Sequence, residues 1–122
     1  MKLLDVTPML TVTAMEAAIA FYRDALGFES VASAKGWACM SRNSVEVMFA
    51  LPNAHLPFER PIMTGSLYFI TDDLDACWEQ VKDRCEVVYP IEDFEYGMRE
   101  FAIRDNSGYL LQFGKRSGEG AA

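Results

Sequence analysis

The chain switches hydrophobic period twice, in the same order, and the second switch follows the first by 59 positions (Leu74 minus Met15). Each pass runs from a stretch of period two into a stretch of helical period, then into three further extended stretches. A helix with a single apolar stripe must be covered by a sheet, and a short sheet with one apolar face must be covered in turn. Two copies of β-α-β-β-β meet both needs, each packing its helix on its own sheet. The remaining sheet faces are free to meet around a cleft. The pattern therefore predicts an α+β fold of two tandem βαβββ modules forming curved mixed sheets around a cleft. With 122 residues there is room for one compact domain or two half-domains sharing a core.

In the first pass, residues 4–12 read as extended, with Leu10 and Val12 on one face and Thr7, Met9 and Thr11 on the other. Thr13 and Glu16 have the spacing of a capping box, and Met15, Ile19, Tyr22 and Leu26 follow at helical intervals. Gly27 is placed to take the left-handed conformation that ends a helix. Strands are expected over residues 28–33, 37–41 and 45–51, then a loop carrying Pro52, Pro57 and Pro61. The second pass places a strand over residues 66–71, Asp72 as N-cap, and a helix on Leu74, Trp78 and Val81. Extended residues 86–89, a loop over 92–97, a strand over 98–104, a turn at 105–108 and a strand over 109–114 complete it. Residues 1–114 thus form a single domain: module one over about 1–52, a linker over 53–63, and module two over about 64–114. Residues 115–122, small and glycine-rich towards the end, read as a flexible tail.

Charge and cysteine content narrow the partners. A net charge of −7 repels phosphate backbones, so nucleic acid is not an expected partner, although solubility alone accounts for such a balance. An acidic residue, Asp5, interrupts any signal-peptide run, and no stretch approaches the roughly 20 apolar residues of a membrane span. A cytoplasmic protein with no membrane partner is expected. Cys39, Cys77 and Cys85 are odd in number and lack Cys-x-x-Cys spacing, which points to small apolar side chains rather than a disulfide framework or zinc knuckle.

Three stretches resemble the vicinal oxygen chelate superfamily, which includes glyoxalases, extradiol dioxygenases and bleomycin-resistance proteins. Ala18, Phe21, Tyr22, Leu26, Gly27 and Phe28 are similar to the family's A-x-x-F-Y-x-x-x-L-G-F helix exit. The run from Leu67 through Thr71 to Ala76 resembles the opening of its second module. Tyr96-Gly97-Met98-Arg99-Glu100-Phe101 leading to Asp105 and Gly108 resembles its W/Y-G-x-R-E-F-x-x-x-D-P-x-G-N signature, with Asn106 in place of the proline and Tyr109 in place of the asparagine. Together the three identify the fold more specifically than any one reaction.

The resemblance implies a metal site built from one inward side chain on the first and fourth strand of each module. The matching positions are Thr7, Glu46, Ser66 and Gln112, which strand alternation also places away from the helices. Two hydroxyls, one carboxylate and one amide are poor ligands for zinc, nickel or iron(II), and the only histidine, His55, lies in the proline-rich loop. The expectation is no metal and no other cofactor. The third motif most resembles the metal-free bleomycin-resistance branch, which implies a homodimer that sequesters an antibiotic or similar small molecule in clefts at the subunit interface.

The pocket lining expected on these grounds is Trp37, Glu46, Met48, Ser66, Tyr68, Glu100 and Gln112. Aromatic rings and methionine suit a flat or partly apolar ligand, while the same side chains could equally fill core or dimer contacts. Tyr96, Tyr109, Met40 and Met98 are further candidates for the cleft mouth; Trp78 reads as core. Glu46 is the candidate catalytic base, against the plainer reading of a carboxylate hydrogen-bonded to its polar neighbours. Glu100 and Arg99 read as members of structural ion pairs. The function expected is binding without chemistry of a small, partly aromatic or cationic molecule. The alternative is a metal-dependent lyase, isomerase or dioxygenase of the same superfamily using Glu46 and Gln112.

Overall fold

A computed structural model describes residues 1–55 and 58–117. The chain divides into two compact units, Met1–Pro61 and Ile62–Ala122. In the first, β1 (Met9–Thr11) leads into α1 (Met15–Asp24) and then β2 (Glu29–Ala34), β3 (Trp37–Arg42) and β4 (Val45–Ala50). In the second, β5 (Leu67–Ile70) leads into α2 (Leu74–Val81) and then β6 (Glu86–Asp93), β7 (Met98–Arg104) and β8 (Leu110–Arg116). Each unit is a mixed four-stranded sheet, ordered β1-β4-β3-β2 and β5-β8-β7-β6, with its first strand parallel to its last and the other pairs antiparallel. The fold is α+β with two βαβββ modules, as the period pattern predicts. The two helices begin at Met15 and Leu74, 59 positions apart.

Each helix covers one face of its own sheet, and each unit has its own core. In the first unit Tyr22 is fully buried, edge-on to Phe49 at 4.9 Å and to Phe28 at 5.7 Å, among Leu10, Val12, Met40 and Val47. In the second, Trp78 packs on Phe101 at 5.0 Å, and Phe101 stacks on Phe113 beside buried Leu74, Val81, Ile103 and Leu111. These side chains alternate along their strands, so their neighbours form the opposite face of each sheet, left open by the unit's own helix.

Several local expectations give way to the structure. The first strand is only three residues long. No capping box forms at Thr13 and Glu16: Ala14 is the N-cap of α1 and no side chain caps it. At α2 the N-cap is Asp73, whose carboxylate accepts from Ala76 N, and Asp72 stands one residue outside. Gly27 does take φ 76°, and the amides of Gly27 and Phe28 return to the carbonyls of Arg23 and Tyr22. Strand β6 runs to Asp93, through Pro90 and into the expected loop, because it is a bulged edge strand that tolerates a missing N–H. Strand β8 extends to Arg116. Pro57 of the inter-module loop and residues 118–122 of the expected tail lie outside the described residues.

Candidate functional site

The most elaborate polar arrangement lies on the open face of the second sheet, and its geometry follows from register. Strand β8 is central: Gln112 stands opposite Tyr68 on β5 and Ala102 on β7, and Gly114 stands opposite Ile70 and Glu100. Alternation therefore sends Tyr68, Ile70, Gln112 and Glu100 to the same side. Tyr89 joins them through a bulge. Val87 pairs with Ile103 but Tyr89 pairs with Ala102, so β6 spends two residues where β7 spends one. Without that extra residue Tyr89 would stand opposite Phe101, on the helix-covered face.

Glu100 is the centre of the arrangement and is only 2% exposed. The Tyr68 hydroxyl donates to its Oε1 at 2.7 Å, and the Tyr89 hydroxyl donates to its Oε2. Gln112 Nε2 donates to the Tyr89 oxygen at 2.8 Å, and Ser66 Oγ donates to Gln112 Oε1 at 2.5 Å. Five side chains from four strands, or from just beside them, thus form one network: Ser66, Gln112 and Tyr89 in series, and Tyr68 on its own, all ending on one carboxylate. Burial first, and then the hydrogen bond to Glu100, pushes the Tyr68 hydroxyl well above the ordinary tyrosine value. The same causes push Tyr89 up to about 12, partly offset by the donor from Gln112, which favours the phenolate. Tyr96 is raised as well, by burial and by its hydroxyl's interaction with Glu100. Rings rim the carboxylate: Phe94 meets Tyr89 edge-on at 5.6 Å and stacks on Tyr96 at 5.5 Å.

Tyr68 reaches Glu100 by lying across β8, and Gly114 is what permits it. A β-carbon added at Gly114 would fall 2.2 Å from the Tyr68 hydroxyl oxygen and 2.8 Å from Cζ. The glycine leaves a notch that the tyrosine ring fills.

Of the seven expected lining residues, Ser66, Tyr68, Glu100 and Gln112 come together here. Trp37, Glu46 and Met48 belong to the first unit, where they share the open face of its sheet with Cys39. Glu46 is exposed, and its carboxylate, after burial, helps to raise the Cys39 thiol above its ordinary value. Among the described residues Glu100 does not form the expected ion pair; Arg99 does, with Asp75 at 3.1 Å and Asp93 at 3.3 Å. Tyr109 and Met40 are buried rather than at a cleft mouth. Tyr89, Phe94 and Gly114 escaped sequence reasoning. The Tyr89-Pro90 pair was the available signal, since proline inside a strand marks an edge or a bulge.

The strand partners also relate the two units position by position. If the modules are aligned on their 59-residue offset, Met9 corresponds to Tyr68; Met9 pairs with Met48 as Tyr68 pairs with Gln112. Met48, rather than Glu46, then corresponds to Gln112. In the second unit the expected metal positions Ser66 and Gln112 are a hydroxyl and an amide bonded to each other, and Gln112 also donates to Tyr89. Such neutral donors are poor ligands for a divalent transition metal. Among the described residues no three His, Cys, Asp or Glu side chains gather as a metal ion would need.

The paired βαβββ units define a class of small proteins, and the sequence confirms it. Residues 5–113 match the profile of the Glyoxalase/Bleomycin resistance protein/Dioxygenase superfamily, and the chain belongs to that family. Solved structures share the fold. A protein of unknown function from Agrobacterium tumefaciens is similar at TM-score 0.80 and 19% identity, over 96% of this chain and 97% of that one. A glyoxalase/bleomycin resistance protein/dioxygenase from Nocardioides is similar at 0.78 and 16%, over 98% and 87%. A glyoxalase-related enzyme from Fulvimarina pelagi is similar at 0.76 and 14%, over 93% and 88%. No curated protein matches. Among the described residues no helix is long and apolar enough to cross a membrane.

Proposed function

We propose that this chain binds a small, partly aromatic or cationic molecule and holds it without transforming it, on the open face of the second unit's sheet. The observation that carries the reading is Glu100. It is a buried carboxylate that enters no ion pair among the described residues and is held by tyrosine hydroxyls. A ligand that brings positive charge would improve its surroundings, and the rings of Tyr89, Phe94 and Tyr96 offer faces to a flat molecule or a cation. Chemistry at such a carboxylate would need a donor aimed at the charge that develops on the substrate, and the Tyr68 and Tyr89 hydroxyls aim theirs at Glu100 itself. A cytoplasmic homodimer that takes its ligand at or near the subunit interface completes the proposal, in keeping with the resemblance to bleomycin-resistance proteins.

Thermal shifts of the purified chain against cationic glycopeptides and aromatic metabolites test it. At least one compound should raise the Tm in a dose-dependent way and emerge from the incubation unchanged. Stabilisation by stoichiometric zinc, nickel, iron(II) or manganese, or silence across the whole panel, would overturn it.

A further inference from the structure

The carboxylate of Glu100 is covered, which restricts what can bind to it. Each oxygen accepts a tyrosine hydroxyl and has a lone pair to spare, but the residue is almost wholly buried, so a ligand reaches it only where a tyrosine that covers it moves aside. The two tyrosines differ. Tyr89 is half-buried and tied on its other side by Gln112 Nε2. Tyr68 is 40% exposed, and Glu100 is the one side-chain partner of its hydroxyl among the described residues. Tyr68 is the replaceable one.

The space Tyr68 would leave has a definite shape. Its floor is Gly114, which has no side chain, its outer wall is Ile70, 68% exposed on the same face, and its inner end is Glu100. A phenol ring with its donor at the far end now fills that space. A competing ligand must therefore present a flat ring to Gly114 and a donor to Glu100. A charged N–H donor outcompetes a neutral O–H at a carboxylate, because charge-assisted hydrogen bonds are roughly twice as strong. A quaternary ammonium has no N–H and would leave the carboxylate oxygen without a donor.

We propose that the site selects aromatic ammonium ions that carry N–H, bound by exchange for Tyr68 in the notch over Gly114. This rests on the binding reading above and narrows its ligand class. It also makes Tyr68 a competitor of the ligand rather than a contact that supports it.

The test is an NMR titration of the isotopically labelled full chain with benzylammonium, benzyltrimethylammonium and benzyl alcohol, for wild type, Tyr68→Ala, Tyr68→Phe and Glu100→Gln. Tyr68→Ala empties the notch. It should bind benzylammonium about tenfold or more tighter than wild type does, the loss of one competing hydrogen bond to a charged group. Tyr68→Phe keeps the ring but removes the hydroxyl, and should fall between the two. In Tyr68→Ala both control compounds should bind about tenfold more weakly than benzylammonium, and Glu100→Gln should abolish that preference. Shifts should centre on residues 66–70, 98–102 and 112–114. Equal binding of the three compounds to Tyr68→Ala, shifts elsewhere, or no binding to either Tyr68 variant overturns the proposal. The broader reading fails separately, by silence of the wild-type chain across the ligand panel.

Discussion

Gly114→Ala should destabilise the protein through Tyr68, to which the three atoms nearest the added β-carbon belong. Gly114 does not have a positive φ, so alanine meets no backbone strain there, and in a strand it should gain about 0.5–1 kcal/mol over glycine. Against this, the new β-carbon would lie 2.2 Å from the Tyr68 hydroxyl oxygen and 3.1 Å from Cε1. The ring must swing away and give up its bond to Glu100, a hydrogen bond to a charged group worth about 1.5–3 kcal/mol. The expected net loss is about 1 kcal/mol. In a Tyr68→Ala background the obstacle is gone and the same substitution should stabilise by about 0.5–1 kcal/mol. Urea unfolding of the four proteins in this cycle reads the difference, with the midpoint moving and the slope unchanged. A loss of the same size in both backgrounds would show that Tyr68 does not occupy the space above Gly114. Such a result would remove the seat on which the ligand inference depends.

Three further outcomes follow from the same structure. Asp73→Ala should cost about 1 kcal/mol as the true cap of α2, whereas Thr13→Ala should cost a few tenths at most because its hydroxyl caps nothing; chemical denaturation separates them. Alkaline pH should weaken the fold. The folded pKa values of Tyr68 and Tyr89 lie above their ordinary value of 10, so the stability they contribute is complete below pH 10 and is lost as pH rises through the folded values, about 12 for Tyr89. Denaturant midpoints measured from pH 9 upward should fall for wild type and fall less steeply for Tyr89→Phe. Asp105→Ala should cost about 1–3 kcal/mol in the same assay, since its buried Oδ1 accepts from both Ser107 N and Tyr109 N and holds the β7–β8 turn.

The fold was legible because both of its signals are periodic and repeated. Apolar side chains at helical spacing (Ile19, Tyr22, Leu26) and at strand spacing (Val47, Phe49; Leu111, Phe113) specify which face meets the helix, and a one-residue slip would expose them all. End effects were harder to read. Thr13-x-x-Glu16 has the letters of a capping box, but a cap depends on the backbone angles of one residue, and Ala14 takes that position instead. Asp72 and Asp73 are chemically identical candidates, and only the geometry of the turn chooses between them.

The site was legible only where alternation is unbroken. Tyr68, Glu100 and Gln112 follow from counting by twos along β5, β7 and β8; Tyr89 does not, because a bulge reverses its side, and Gly114 carries no side chain to count. Register shows how much the fold leaves open. The positions held by Tyr68, Gln112, Gly114, Glu100 and Ala102 in the second unit are held by Met9, Met48, Ala50, Trp37 and Cys39 in the first. One lattice of strand partners carries an apolar set on one sheet and a hydrogen-bonded carboxylate on the other. Both have a small residue, Ala50 or Gly114, directly opposite the largest or the charged one. What separates the two sheets is therefore not the βαβββ architecture, which they share, but the side chains set on it. In the second unit the small position lets a tyrosine lie across the central strand and bring its hydroxyl to Glu100.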